Sequence, residues 1–479
     1  MPPKKIKGAK KSLKVNSRTS PNVVSLNIDC LLMIFCHLTI SERIKVERVC
    51  KLWQEAGRSG WVGFQSLDFK KSLWGFAFNT KVTITDKIIR TVLSRCGNYI
   101  REVKFPQFSN DPEILQLSIS QRCLGTMWEM CPNMRILDLG FHRIRSSALS
   151  ILANCSSNLE DFKLDLHSNI SDDDLSTMFA SNKKLKILHL FHNDSSNICK
   201  CVKDLPRNSI EEIMICNCHG TSTLEKIHGL FSSLLSVSPE LQKFRKLSIH
   251  NITHNMSSWG LHSCAEGFNS VVLYSCTILC DKPTSNLLAF ENLQELTFYG
   301  NRGDTDEFLI AVSVTCTKLN KLFLQACGSV TDRGLSAVAL NLNLTKLEII
   351  DMDNVCGKDL PKMHTLQYFR SENCRNLVEE YLAHMVLTAA TDSRTFQLIH
   401  SYNDSQLSNR SYPPFNGKLL QAAAQVNGNH QNGYTITTQL CFQCRAKVGE
   451  RKICIILDKQ QKIVHPSKPR PKLKMNTDC

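Results

Sequence analysis

Cysteine and histidine are the residues of this chain most able to do chemistry, with 22 Cys and 15 His in 479 residues. Cys441-Phe442-Gln443-Cys444 has the spacing that holds zinc or cycles between dithiol and disulfide. Tetrahedral zinc needs a second pair within reach, and the candidates, Cys454, His465 and Cys479, stand at no familiar spacing. Cys199 with Cys201, and Cys216 with Cys218, have only one residue between them. These read as ordinary thiols, with no metal site and no cofactor. No Gly-rich phosphate loop, H-E-x-x-H or G-x-S-x-G elbow occurs. His189 and His250 fall in strand patterns as surface groups. The chain therefore reads as a recognition protein and not an enzyme.

The elements that position a recognition surface are legible as a repeat. A pattern L-x-x-L-x-L returns about every 22 to 26 residues: Met134, Leu137, Leu139; Leu159, Phe162, Leu164; Leu185, Leu188, Leu190; Ile210, Ile213, Ile215; and, after one longer gap, from Phe244, Leu247, Ile249 on to Leu344, Leu347, Ile349. One such unit cannot bury its apolar edge alone, so the period predicts stacked leucine-rich repeats, a solenoid with a long concave face. Strand alternation then puts the intervening residues on that face. One column runs Asp138, Lys163, His189, Met214, Ser248, Val272, Thr297, Phe323, Glu348, Arg370; the next includes Phe191, Tyr274, Tyr299 and Gln325. Tyr274, Tyr299 and Phe323 come from adjacent repeats and, with Gln325, are the candidate substrate-binding residues, since aromatics dominate binding hot spots. The plain alternative is that loops or the C-terminal segment cover them.

Net charge is +15, but residues 1–18 hold seven Lys/Arg and no acid, and residues 441–479 hold ten against three acids. The body between is nearly neutral, so a dedicated nucleic-acid site is not expected. Lys4-Lys5-Ile6-Lys7 with Lys10-Lys11 fits a nuclear import signal and a solvated tail equally well. No stretch approaches the ~20 apolar residues of a membrane helix. A nuclear or cytoplasmic site, with reduced thiols, is the expectation.

Between Leu26 and about Gly60 the pattern is helical. Leu31, Ile34, Phe35 and Leu38 make one apolar face, Thr39-Ile40-Ser41-Glu42 is a capping box, and a second helix carries Ile44, Val46, Val49, Cys50 and Trp53. About 35 residues bury too little to stand alone, so part of this apolar surface should dock on something else. The run Leu26–Leu38, with its Ile34-Phe35 pair, and the run Val46-Glu47-Arg48-Val49-Cys50-Lys51-Leu52-Trp53 resemble an F-box. One departure is Asn27, where the family usually has Pro. Cys218, Cys276, Cys327 and Cys374 fall where repeats bend away from their strands, which resembles the cysteine-containing leucine-rich repeats known chiefly from F-box proteins.

The reading is thus an α/β chain with an N-terminal three-helix F-box, a horseshoe of leucine-rich repeats and disordered basic termini. Its divisions are a tail at 1–24, F-box at 25–62, repeats at 63–400, a linker at 401–440 in which Lys418–Gln425 could form a short helix, and a basic tail at 441–479. The resemblance implies a substrate-recognition subunit of a cullin-based (SCF-type) ubiquitin ligase. Leu31, Ile34, Phe35, Leu38 and Trp53 would meet a Skp-type adaptor and through it a cullin, and the repeats would hold an unidentified protein substrate. A scaffold or inhibitor working without the ligase is the alternative.

Overall fold

Parallel strands joined by helices or turns repeat along a computed structural model of the chain. It describes residues 26–106, 112–140, 142, 144–166, 170–192, 201–217, 233–234, 236–255, 268–279, 290–392, 394–403, 417–428, 434–439 and 450–459. The 1–24 tail, Cys199, Cys218, Cys441-x-x-Cys444, His465 and Cys479 of the sequence reading lie outside those residues.

The main sheet has fifteen described strands: β1 (Ser66–Asp68), β2 (Glu102–Lys104), β3 (Ile136–Asp138), β4 (Asp161–Leu166), β5 (Ile187–His192), β6 (Glu212–Asn217), β7 (Lys246–His250), β8 (Ser270–Tyr274), β9 (Glu295–Tyr299), β10 (Lys321–Gln325), β11 (Lys346–Ile350), β12 (Tyr368–Glu372), β13 (Phe396–Asn403), β14 (Tyr434–Gln439) and β15 (Glu450–Lys459). The first thirteen lie side by side in sequence order and all pair parallel. That topology is the solenoid the 25-residue period predicts. The repeat leucines Leu137, Phe162, Leu188, Ile213, Leu247, Val271, Leu296, Leu322, Leu347 and Phe369 pair along one row and are buried in one continuous core.

Two devices bend the chain away from each strand. The residue after the strand takes a left-handed conformation in six successive repeats, at Asn251, Ser275, Gly300, Ala326, Asp351 and Asn373, with φ of 52–62°. Each donates its N–H to the carbonyl of a strand residue in the next repeat, as from Ala326 to the Ile350 carbonyl at 2.9 Å. The turn thereby extends the ladder by one bond while reversing the backbone. The next residue points into the core. Cys276, Cys327 and Cys374 fill that slot, each thiol facing a carbonyl of the preceding repeat at 3.2–3.5 Å. Asn301 fills the same slot, accepting from the Cys276 N–H at 2.7 Å and donating to the Leu273 carbonyl at 2.8 Å. Burial pushes the Cys276 and Cys374 thiols up to about 12 and Cys327 to about 11, so these are packing groups and not nucleophiles.

On the convex side, carboxylates staple one repeat to the next. Asp306, in the helix Thr305–Thr315, accepts from the N–H and hydroxyl of Thr331 (2.9 and 2.6 Å) and from the Gly334 N–H at 3.2 Å. A Cβ on Gly334 would sit 2.5 Å from that carboxylate, so the close approach requires glycine. Asp332 in turn accepts from the Cys356 and Gly357 N–H groups at 2.9 and 2.8 Å. Asp86 does the same for Ser120. Thr331 caps its helix as its position predicts, accepting from the Arg333 N–H, with Leu335 and Val338 buried below.

Two sequence expectations are corrected here. Within 401–440 and 441–479, the described residues 401–403, 417–428, 434–439 and 450–459 are folded rather than linker or tail, and the rest of both ranges lies outside the described residues. The helix Lys418–Gly428 buries Leu419 and Ala423, and β15 pairs antiparallel with β13 and with β14. Ile453, Ile455 and Leu457 alternate inward from β15 and cover an edge that would otherwise end in unpaired backbone. The basic composition of this stretch masked its period of two. Within this cap His400 is buried at a core position, its Nδ1 2.7 Å from the Ser371 hydroxyl, and burial pushes its imidazole down to about 4. The second helix of the N-terminal module is likewise broken in two. Val46 ends one segment, and Cys50, extended at φ −159°, caps the next.

Candidate functional site

The concave face is built as alternation predicts. The column from Asp138 to Arg370 runs unbroken through ten paired strands. Its chemistry is zoned. Toward β3–β6 it is ionic: Lys163 pairs with buried Asp138 at 3.1 Å, and His189 and Lys246 flank Glu212 at 3.8 and 2.9 Å. The His189 imidazole, then the Lys246 ammonium, hold the Glu212 carboxyl down at about 2. Toward β11 and β12 it is ionic again, with Glu348 paired to Lys346 and Arg370 to Glu372. Between these zones the face is aromatic. Tyr274 and Tyr299 stack at 4.4 Å and 3°, and His250 stacks on Tyr274 at 5.1 Å and 29°. Tyr274, 38% exposed, raises the Tyr299 phenol above its ordinary range by its own charge.

Of the candidate substrate-binding residues, Tyr274, Tyr299 and Gln325 share one register row, while Phe323 belongs to the neighbouring row with Thr297 and Glu348. All four are on the concave face, with Phe323 diagonal to Tyr299. The sequence reading missed His250 as the third ring. Its register with Tyr274, one pleat from Ser248, was the available signal.

The N-terminal module has helices α1 (Ile28–Phe35), α2 (Ile40–Val46) and α3 (Lys51–Ser59). Asn27 starts α1 as its N-cap, its side chain accepting from the Cys30 N–H at 2.8 Å. Its φ of −69° is one proline would also adopt, so a side-chain cap replaces ring rigidity. Glu42 closes α2 from the other end of its box, accepting from the Thr39 N–H at 2.9 Å and hydroxyl at 2.7 Å. Leu31 and Phe35 turn inward with Ala56 to form a small core, over which Leu38 and Trp53 pack, the Phe35 and Trp53 rings meeting edge-on at 5.3 Å. Of the residues expected to meet an adaptor, Leu31 and Phe35 are therefore internal, because this module needs them to hold three short helices together. Ile34 is 49% exposed, and two neighbours not singled out from the sequence, Met33 at 65% and Val49 at 60%, are more so.

The F-box domain family matches residues 24–63, the same three helices and the turn that follows. This module is an F-box domain. A Caenorhabditis elegans protein named "Putative RNA-binding protein EEED8.10" is 23% identical over 378 residues, covering 76% of this chain; the chain spans about half (48%) of that relative's length. Among solved structures, a chain of the yeast Rad7–Elc1 complex matches with 16% identity and TM-score 0.34, covering 75% of this chain and 96% of that one. A chain of the TLR13–ssRNA13 complex matches at 14% and 0.41, covering 75% and 46%, and LegL7 from Legionella pneumophila at 12% and 0.32, covering 73% and 98%. These scores lie below 0.5 and add nothing to what strand register already establishes.

The F-box is joined to the repeats by buried polar chemistry. Glu47, after α2, accepts from Trp61 Nε1 at 2.7 Å and pairs with Arg95 of the first convex helix at 2.8 Å. Arg43 donates to the Leu38, Gly60 and Cys36 carbonyls and lies over the Trp61 and Phe64 rings. Ile40, Trp61 and Phe64 belong to the solenoid's core and not to the F-box's own. Directional bonds to a buried carboxylate fix the angle between the two parts. Among the described residues, no group of three or more His, Cys, Asp or Glu could hold a metal ion.

Proposed function

We propose that this chain is the substrate-recognition subunit of a cullin-based, SCF-type ubiquitin ligase. Its F-box docks on a Skp-type adaptor, and through it a cullin, by the exposed Met33, Ile34 and Val49 with the outer edges of Leu38 and Trp53. Its concave face holds a target protein through His250, Tyr274, Tyr299, Phe323 and Gln325. The observation that carries the reading is an F-box with exposed apolar residues welded through Glu47, Arg95 and Trp61 to a sheet with an aromatic centre. A fixed angle between docking module and cargo face keeps a target lysine near a charged ubiquitin-conjugating enzyme. Such tethering raises effective concentration without any bond chemistry by this chain. The nucleus or cytoplasm is where such a subunit works. Co-purification with a Skp-type adaptor tests this. Met33→Glu with Ile34→Glu should abolish it while far-UV circular dichroism stays unchanged; an unaltered yield would favour a scaffold acting without the ligase.

A second reading has the concave face take up single-stranded RNA. Support comes from the nematode relative's name, about half of whose length the match leaves uncovered, and from the stacked rings, on which bases can stack. Retention of a labelled oligouridylate, lost in Tyr274→Ala with Tyr299→Ala, would favour it. Retention that depends instead on residues 1–18 and 441–479 would place it in the basic ends.

A further inference from the structure

A groove of about 590 Å³ opens where the F-box meets the repeats, away from the concave aromatic centre. Val62 of the F-box turn and Tyr99 form its apolar walls, and both are exposed. Arg101, Arg135 and Lys184 enter it from three repeats, against a single carboxylate, Glu160. That carboxylate is already paired, with Lys186 at 2.8 Å and Arg135 at 3.7 Å. Arg101 has no acidic partner within 4.0 Å among the described residues, although it crosses a body whose ion pairs are otherwise dense. Asn133 and Asn158, at equivalent points of successive repeats, and Asn98, one residue before the equivalent Tyr99, line the same groove. Asn133 donates to the Asn98 carbonyl at 2.8 Å, leaving its amide oxygen outward, and Asn158 accepts from Lys184 at 2.7 Å, leaving its amide N–H groups.

Charge, shape and amide spacing here fit one chemistry. Arg101 and Arg135, equivalent in successive repeats, attract carboxylates together with Lys184 in the Asn133–Asn158 row, and the amide edges between them suit the main chain of an extended peptide. The helices Asp86–Cys96, Gln121–Met130 and Ser146–Cys155 end beside the groove, and their negative ends oppose an anion. That opposition amounts to about half a charge each, partly quenched by the Asn133 cap, against three whole cations. We infer that the groove lined by Val62, Asn98 and the Tyr99–Asn133–Asn158 row binds an extended acidic peptide segment of a partner protein, its carboxylates paired with Arg101, Arg135 and Lys184. The inference does not depend on the ubiquitin-ligase reading, because it uses no adaptor contact.

The test uses the full chain and a fluorescein-labelled octapeptide alternating Glu and Gly, with a Gln–Gly octapeptide as control, followed by anisotropy. The Glu peptide should bind at least about tenfold more tightly than the Gln peptide and weaken with salt. Arg101→Ala with Arg135→Ala should weaken it about fivefold or more, whereas Arg101→Lys with Arg135→Lys stays within about twofold and shows that the fold is intact. Lys321→Ala with Lys346→Ala, on the concave face, should change nothing. A photo-crosslinking aromatic residue at Val62 should capture the Glu peptide, which separates the groove from the basic ends. The inference is overturned if the alanine pair binds like wild type, if Val62 captures nothing, or if an oligouridylate of equal charge displaces the peptide at a tenth of its concentration.

Discussion

The F-box and the solenoid bury apolar residues to opposite ends. In the repeats nearly every leucine-type position is fully covered, because each unit closes the one before it. The F-box closes over only Leu31, Phe35 and Ala56, and leaves Met33, Ile34 and Val49 in solvent. Such a cluster beside a minimal core is the surface that the proposed adaptor contact uses. The same contrast appears in polar groups. The solenoid repeats its polar bonds at every turn, whereas those of the F-box are individual: two helix caps, the Arg43 bonds to three carbonyls and the Glu47–Arg95–Trp61 junction.

Four measurements would sharpen or break this contrast. Phe298→Ala, in the sealed core between two repeats, should cost about 3–5 kcal/mol, read as a shift of the urea midpoint. A loss below about 1 kcal/mol would mean the repeats are packed no better than the F-box. Acid should loosen the C-terminal cap. His400 is held neutral, with its imidazole lowered from 6.5 to about 4, so its contribution is complete above pH 6.5 and is lost as pH falls from there through 4. That loss is of order 3 kcal/mol, visible as a falling thermal midpoint that Ser371→Ala with His400→Leu flattens. Asn301→Ala strands the Cys276 N–H and the Leu273 carbonyl and should cost about 2 kcal/mol, with faster amide exchange at Cys276. Ile34→Ser on the F-box should stay within about 0.5 kcal/mol of wild type in the free chain while it weakens adaptor capture.

Much of this architecture was legible beforehand because repetition averages over local ambiguity. Nine leucine-type triplets at 22–26-residue intervals, broken by one longer gap, predict a parallel solenoid even where a single repeat is irregular, and the concave column from Asp138 to Arg370 follows from alternation alone. The F-box was recognisable from the Ile34-Phe35 pair and the Val49-Cys50…Trp53 end. Which of its apolar residues face outward was not, since helical spacing gives a face but not what lies against it. Leu31 and Phe35 share that face with Ile34 and Leu38, yet only the first two are fully buried, Leu38 is half-buried beside them and Ile34 stays in solvent. The C-terminal cap was hidden for another reason: a basic stretch drew attention to its charge and away from Ile453, Ile455 and Leu457.

Sequence by itself determined the repeat period, the strand faces and the capping residues, because these depend on neighbours a few positions away and on the pitch of a strand or helix. Tertiary structure alone decided the Glu47–Arg95 junction, the His250–Tyr274–Tyr299 stack and the groove between Val62 and Lys184. Each joins residues separated by 24 or more positions, and stacking repeats turns such intervals along the chain into a few ångströms.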